Sequence, residues 1–249
     1  MIASLSRSRS LRHTLLVVAV GLLAGCASTG GDTRDPWEGF NRGVYQFNEG
    51  ADKVVFNPLG RGYNAVTPGV VDKGVTNFFS NLGEISNFVN NVLQLKVDGA
   101  ANTVVRFMIN TTLGIGGFFD VAGDSGVPAE SEDFGQTLAH WGVDSGPYLV
   151  LPIFGPSTVR DSGGLAADSF MNPVVYIESD AAQYGLVALG IVDTKSDLLG
   201  TADIIEDAAL DEYDFVKNAY LERRRNQIND NTSPKEDEAS YEDFLKGES

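Results

Sequence analysis

Residues 76–95 read TNFFSNLGEISNFVNNVLQL and carry a single ionisable side chain, Glu84. Phe78, Phe79, Leu82, Ile85, Phe88, Val89, Val92 and Leu93 recur there at helical spacing, as Val70, Val71 and Val75 do just upstream. The other positions are largely neutral amides: Asn77 and Asn81 stand four apart, Asn87 and Asn91 likewise, with Asn90 beside them. Residues 107–119 carry no charge at all. A helix face turned to water ordinarily displays Lys and Glu. An apolar face set against an uncharged polar face suits a helix in a membrane interface or lining a wet cavity in lipid, where charge is costly. It suits equally a buried helix pair whose amides satisfy one another, and the sequence leaves both open.

A mainly α-helical chain extends outward from this stretch. Thr67-Pro68 supplies a cap-then-proline start, and Gly83 is expected to divide the run into two helices. A third spans about 98–110, with Ala101, Val104, Val105, Met108 and Ile109 expected to face inward. Upstream, Asp35 reads as a cap, Pro36 as the first helical residue and Glu38 as the close of a capping box. Trp37, Phe40, Val44, Phe47 and Ala51 then form one stripe over about 36–52, with Asn41 and Asn48 seven apart beside it. Residues 57–62 (NPLGRG) read as a loop, 113–119 as a glycine-rich turn, 123–133 as a polar loop, and 134–151 as a hairpin or hinged loop. Ser157 or Thr158 can cap a helix through Phe170, stopped by Asn172-Pro173. More helix is expected over 181–199, ending near Gly200, and over 207–228, where acids lead and Arg223-Arg224-Arg225 close. Residues 229–249 are polar and acidic and are expected to be disordered.

The chain begins with a basic segment bearing Arg7, Arg9 and Arg12, an apolar run from Leu15 to Leu23, and then Leu23-Ala24-Gly25-Cys26. That is a secretory signal, and a cysteine just after the expected cut makes it a lipoprotein signal with Cys26 as the lipidated residue. Two or three acyl chains hold a protein on a membrane effectively permanently. Residues 1–25 would then be the signal, 26–34 a tether, 35–228 the helical domain and 229–249 the tail. Loss of three arginines and no acids moves the net charge from −16 to −19, with 15 basic against 34 acidic side chains. So acidic a chain does not track a phosphate backbone, which excludes nucleic acid as a partner.

Candidate chemistry is sparse. Gly123-Asp124-Ser125-Gly126 resembles the nucleophile region of trypsin-like proteases, but the one upstream histidine, His13, lies in the signal. Asp-Ser-Gly recurs at 144–146 and 161–163, which marks it as turn vocabulary. A triad of Ser145, His140 and Asp144 would need side chains too close in sequence to converge. A single remaining histidine and a single cysteine cannot build a zinc site. The residues read as a non-enzymatic lipoprotein with no metal and no cofactor.

Several collinear blocks resemble one family. Asp35-Pro36-Trp37-Glu38-Gly39-Phe40-Asn41-Arg42, Asn77-Phe78-Phe79-Ser80-Asn81-Leu82, Arg106-Phe107 with Asn110-Thr111-Thr112-Leu113-Gly114, Phe134-Gly135-Gln136-Thr137-Leu138, Gly142-Val143 with Gly146-Pro147-Tyr148, and Leu151-Pro152-Ile153-Phe154-Gly155-Pro156-Ser157 with Arg160-Asp161 are similar to the MlaA/VacJ outer-membrane lipoproteins. The resemblance implies a ring-like bundle of amphipathic helices lying in the periplasmic leaflet of the outer membrane, with a short hairpin loop and a central amphipathic channel. It implies association with a trimeric porin and passage of misplaced outer-leaflet phospholipid to a soluble periplasmic carrier, which feeds an inner-membrane ATP-driven transporter. It also implies that the loop carrying Gly142, Gly146 and Pro147 governs the channel, and that Phe40 and Asn41 help set its state. Under that reading, Asn77, Asn81, Asn87 and Asn91 are candidates to line the channel, since neutral amides give headgroups a polar wall without trapping phosphate. Two rivals are a structural adaptor that scaffolds porins or envelope proteins, and a lipid hydrolase acting through Ser125 or Ser145.

Overall fold

The computed structural model describes residues 32–229, and over them the chain is mainly helical. Cys26, the signal and the acidic tail beyond Asn229 lie outside the described residues. Helix α1 (Glu38–Ala51) passes through a π-helical turn at Asp52–Phe56 straight into α2 (Asn57–Val66). The stretch expected as a loop is therefore helix, with Pro58 in the first turn of α2 directly after the π-helical turn. Helix α3 (Gly69–Leu93) is continuous, and Gly83 does not divide it. A glycine within a helix costs only about 1 kcal/mol, which tertiary contacts outweigh. Helix α4 (Val97–Thr112) packs along α3 after a short turn.

A short helix α5 (Val121–Asp124) precedes α6 (Phe134–His140), whose Asp133 cap accepts from the Gln136 N–H at 2.9 Å. A segment read as irregular is thus partly helical. Strands β1 (Tyr148–Leu151) and β2 (Gly155–Thr158) form an antiparallel hairpin with Tyr148 opposite Thr158 and Leu151 opposite Gly155. Thr158 caps α7 (Val159–Met171), and Asn172 opens a 3-10 turn over Pro173–Tyr176. Helix α8 (Asp180–Ala208) runs through Gly200 and packs on α2, and α9 (Glu212–Ile228) closes the fold.

The amphipathic period was read correctly, but its direction is inverted in α4. Val104, Val105 and Met108, expected inward, are exposed, while Thr103, Arg106 and Asn110 are buried. In α3 the buried set is Gly74, Asn81, Glu84, Asn90 and Asn91, with Phe88, Val92 and Leu93 outside. Among the described residues the buried apolar cluster is small: Tyr148, Val150 and Tyr213, with Val44, Tyr45, Tyr220 and Leu221 against it.

The hairpin is held to α1 by asparagine amides acting as surrogate backbone. Asn41 donates to the Tyr148 carbonyl (3.0 Å) and accepts from the Val150 N–H (2.9 Å); Asn48 donates to the Leu151 carbonyl (2.9 Å) and accepts from the Ile153 N–H (2.7 Å). Seven helical residues rise about 10.5 Å, and three strand residues about 10 Å. That match lets two amides seven apart serve a strand edge at positions three apart. Asp35 does not cap α1, whose N-terminus has no side-chain cap; its carboxylate accepts from Asn41 Nδ2 (2.8 Å) and the Tyr213 hydroxyl (2.5 Å). Helix α9 is clamped likewise: Arg224 pairs with Asp133 (2.6 Å) and Asp161 (3.0 Å), and the Tyr220 hydroxyl donates to Asp161 (2.9 Å).

Replacing Asn41 with leucine strands a buried carbonyl and a buried N–H. It is expected to lower stability by about 2–4 kcal/mol, read as a denaturant midpoint in detergent, with Asn48→Ala costing less because its site is only part-buried. A midpoint equal to wild type for Asn41→Leu would remove the amide from the support of the hairpin.

Candidate functional site

The polar faces of α3 and α4 enclose a cavity of about 390 Å³. Asn77, Ser80, Asn81, Gly83, Glu84 and Asn87 line it from α3, Arg106 and Asn110 from α4, and Asp120 with Ala129, Glu130 and Ser131 from the segment that follows. Its size lies within the range of small-ligand sites.

One guanidinium organises this wall. Arg106 Nε donates to Glu84 Oε1 at 3.0 Å, Nη2 to both Asp120 oxygens at 3.0 Å, and Nη1 to the Val127 carbonyl at 3.0 Å. Asn110 continues the network, donating to Asp120 (2.8 Å) and accepting from the Ala122 N–H (2.9 Å). Burial pushes the Asp120 carboxyl up, but hydrogen bonds from Asn110, the Gly123 N–H and Arg106 outweigh it and hold the group below its ordinary value. Burial works against the Arg106 cation too, and its bonds to Glu84 and Asp120 more than restore it. Both groups are therefore charged at neutral pH, and the cation is fully engaged.

Neutral amides complete the wall. Asn77 donates to the Phe118 carbonyl (3.2 Å), and Asn87 donates to Glu84 (3.2 Å) and accepts from the Glu132 N–H (3.0 Å). Asn81 donates to the Thr111 hydroxyl (3.0 Å), while its Oδ1 is buried without a partner. The 113–119 turn approaches so closely that a Cβ on Gly117 would sit 2.5 Å from the Asn81 Cβ. Among the described residues no group of three carboxylate, histidine or cysteine side chains converges on a metal position.

The family model described as MlaA lipoprotein matches residues 33–227. The chain belongs to the MlaA lipoprotein family. The intermembrane phospholipid transport system lipoprotein MlaA of Escherichia coli is 37% identical over 220 residues, covering 86% of this chain and 87% of that protein. Its counterpart in Haemophilus influenzae is 32% identical over 94% of this chain and 96% of its own length. A protein of Rickettsia felis is 41% identical over 77% of this chain and 76% of its own. A solved chain, from work described as the structural basis for maintenance of bacterial outer membrane lipid asymmetry, superposes with a TM-score of 0.68 at 33% identity, over 78% of this chain and 98% of that one.

Within this MlaA-family fold the residues singled out in sequence fall into three places. Asn77, Asn81 and Asn87 come together on the cavity wall. Asn91 is buried to one side, donating to the Asn87 carbonyl (2.9 Å), with its Oδ1 where a Cβ on Gly99 would stand. Phe40 and Asn41 lie on α1, where Asn41 carries the hairpin. Gly142, Gly146 and Pro147 belong to the loop between α6 and β1, which does not line the cavity. Gly142, at φ +85°, closes α6 in a Schellman arrangement: its N–H bonds the Ala139 carbonyl, and the Val143 N–H the Leu138 carbonyl, both at 2.9 Å. Gly146, at φ +65°, precedes Pro147, whose carbonyl accepts from the Val159 N–H (3.1 Å). Arg160 holds the same loop, its N–H on the Ser145 carbonyl (3.1 Å) and its Nη1 on that of Val143 (3.3 Å). Ser125 ends α5, its hydroxyl on the Val121 carbonyl (2.7 Å).

The network of Glu84, Arg106, Asn110 and Asp120 was missed in sequence. The signal was present: a lone ionisable residue in a long uncharged helix needs a partner, and Arg106 is the nearest base on the facing helix.

Arg106→Met leaves Glu84 buried without its cation and is expected to cost about 3–5 kcal/mol. The double variant Glu84→Leu with Arg106→Met recovers part of that loss in the same denaturant titration. Because Asp120 is held below its ordinary value, its contribution is complete above about pH 4 and is lost as pH falls through the folded-state value. Melting temperature should therefore drop on acidification below that point, and drop less steeply in Asp120→Asn.

Proposed function

We propose that this chain is an envelope lipoprotein, anchored through Cys26 on the periplasmic side of the outer membrane, that removes mislocalised phospholipid from the outer leaflet. The observation that carries this reading is the inversion of burial. Val70, Val71, Phe88, Val92, Val104, Val105, Met108, Leu113, Ile115 and Phe119 are exposed, whereas Asn81, Glu84, Asn90, Asn91, Thr103, Arg106 and Asn110 are buried. Exposed large apolar side chains in this number call for lipid or another apolar surface to cover them. Yet no helix among the described residues is long and apolar enough to cross a membrane. A molecule apolar outside, polar inside and without a span is suited to lie in one leaflet and offer headgroups a polar path. The names of the relatives, which place them in intermembrane phospholipid transport, support the same reading.

In this proposal the helices form a ring around an amphipathic channel, and the cavity lined by Asn77, Asn81 and Asn87 is part of its polar wall. A trimeric porin holds the protein in place, and a soluble periplasmic carrier that feeds an inner-membrane ABC transporter receives the lipid. The Gly142–Pro147 loop, exposed and pinned at both ends, serves as the gate. No covalent step is needed, since a lipid leaving an asymmetric leaflet requires only a path and an acceptor.

Cells lacking the gene should expose more phospholipid at their surface, assayed by outer-leaflet labelling, and only lipidated protein should restore them, so wild type rescues and Cys26→Ala does not. Asn81→Leu, which keeps the branching and heavy-atom count of the side chain, should fold and anchor but rescue incompletely. An unchanged surface in the deletion would remove lipid transport and leave the apolar exterior as an adaptor's docking face.

A further inference from the structure

Arg160 and Asp161 stand in the first turn of α7, beside the loop that joins α6 to β1. The first N–H groups of a helix have no intrahelical acceptor, and here the loop supplies two. The Pro147 carbonyl accepts from the Val159 N–H and the Ser145 carbonyl from the Arg160 N–H, each at 3.1 Å. The Arg160 side chain adds a third bond, from Nη1 to the Val143 carbonyl at 3.3 Å. Its guanidinium is buried and takes its counter-charge from Asp161, with Nε 3.0 Å and Nη2 2.9 Å from the same oxygen, Oδ1. Residues adjacent in a helix do not face each other, so this pair alone does not fix where the guanidinium lies. Helix α9 fixes it. Arg224 Nη2 reaches Asp161 Oδ1 at 3.0 Å, and the Tyr220 hydroxyl donates to Oδ2 at 2.9 Å. The same Arg224 binds both oxygens of Asp133, the cap of α6, at 2.6 Å. Helix α9 therefore holds the elements on either side of the loop. Two glycines leave this junction no slack. A Cβ on Gly135 would stand 2.4 Å from Arg224 Nη2 and 2.6 Å from Asp161 Oδ1, and one on Gly164 2.4 Å from the Gly135 nitrogen. Burial pushes the Asp161 carboxyl up, but its bonds to Arg224 and Arg160 outweigh that and keep it an anion at neutral pH.

We propose that Arg160 is the positioning residue of the 142–147 loop and that α9 governs it through Asp161, so that the hold on the loop is set by how α9 is docked. The relay runs from Tyr220 and Arg224 to Asp161, from Asp161 to Arg160, and from Arg160 to the Ser145 and Val143 carbonyls. A carboxylate with both oxygens fixed by α9 presents the guanidinium to the loop in one place. Released from α9, the two neighbours turn together and the loop loses its support. None of these residues lines the α3–α4 cavity, so the control is exerted from outside the lipid path. This inference rests on the proposed role of the loop as gate and adds what sets that gate.

The test is amide exchange at residue resolution on the full lipidated protein in detergent. The Val159 and Arg160 N–H groups owe their protection to the loop carbonyls, so their exchange reads its hold directly. Tyr220→Phe removes one hydroxyl from Asp161 and touches no loop bond. It should speed exchange at both amides about tenfold, the size of one hydrogen bond to a charged group, while the amides of α3 and α4 exchange as in wild type. Arg224→Lys, which keeps the charge and loses the fork, should do the same and serves as the second variant. In an Arg160→Met background Tyr220→Phe should add nothing at either amide, which separates action through Arg160 from a general loosening of α9. Deletion cells complemented with Tyr220→Phe should expose more phospholipid than cells complemented with wild type, because an unheld gate also passes lipid toward the leaflet poor in it. Exchange unchanged in both Tyr220→Phe and Arg224→Lys overturns control by α9 and leaves the loop as gate. Equal acceleration with and without Arg160 overturns its positioning role. Faster exchange with surface phospholipid as in wild type overturns the loop as gate, and the control of passage with it.

Discussion

Polar groups that exclude water by bonding one another do much to hold this molecule together, because many of its large apolar side chains are exposed. The fully buried side chains include Asn41, Asn90, Asn91, Thr103, Thr158 and Asp35, against very few aliphatics. In a water-soluble domain, apolar burial supplies the stability and buried polar groups are tolerated when paired. Here the pairing itself has to specify the fold. Thr137 joins Asn90 and Gln94 between α3 and α6, Asp168 reaches Ser86, Asn90 and the Phe134 N–H from α7, and Arg106 joins α3 to α5. Directional bonds set relative helix positions more sharply than greasy contact does, which suits a structure whose exterior is left to a fluid surrounding.

That same fact explains how much was legible beforehand. The 3.6-residue period of α3 and α4 was plain, and Thr158 and Asn172-Pro173 bounded α7 as expected. Periodicity, however, finds a stripe without saying which solvent it faces, so Val104, Val105 and Met108 were turned inward when they point out. The only corrective signal was negative, the absence of Lys and Glu opposite the stripe. Punctuation misled where tertiary contact overrode local preference: Gly83 and Gly200 lie inside helices, and 57–62 is helical because the π turn feeds α1 into it without a break. Asn41 and Asn48 were noticed as a seven-residue pair, but their partner is a strand edge more than a hundred residues away, which no local pattern predicts. Asp35 looked like a cap because capping needs only neighbours; its actual bonds to Asn41 and Tyr213 need the folded chain.

The two halves of the buried network differ in what they leave over. Around the hairpin Asn41 and Asn48 each use both ends of their amides, and Arg42 and Lys217 reach five carboxylates between them, while the Tyr148 hydroxyl and Arg224 Nε are buried without a partner. Between α3 and α4 the balance fails, with acceptors in excess around an open volume. On the proposed lipid path, neutral amides would bind a headgroup phosphate more weakly than a free guanidinium would. A path must hold its cargo less tightly than the acceptor does. On that proposed path, the engagement of Arg106 by Glu84 and Asp120 keeps the wall polar while withholding a free guanidinium from the phosphate.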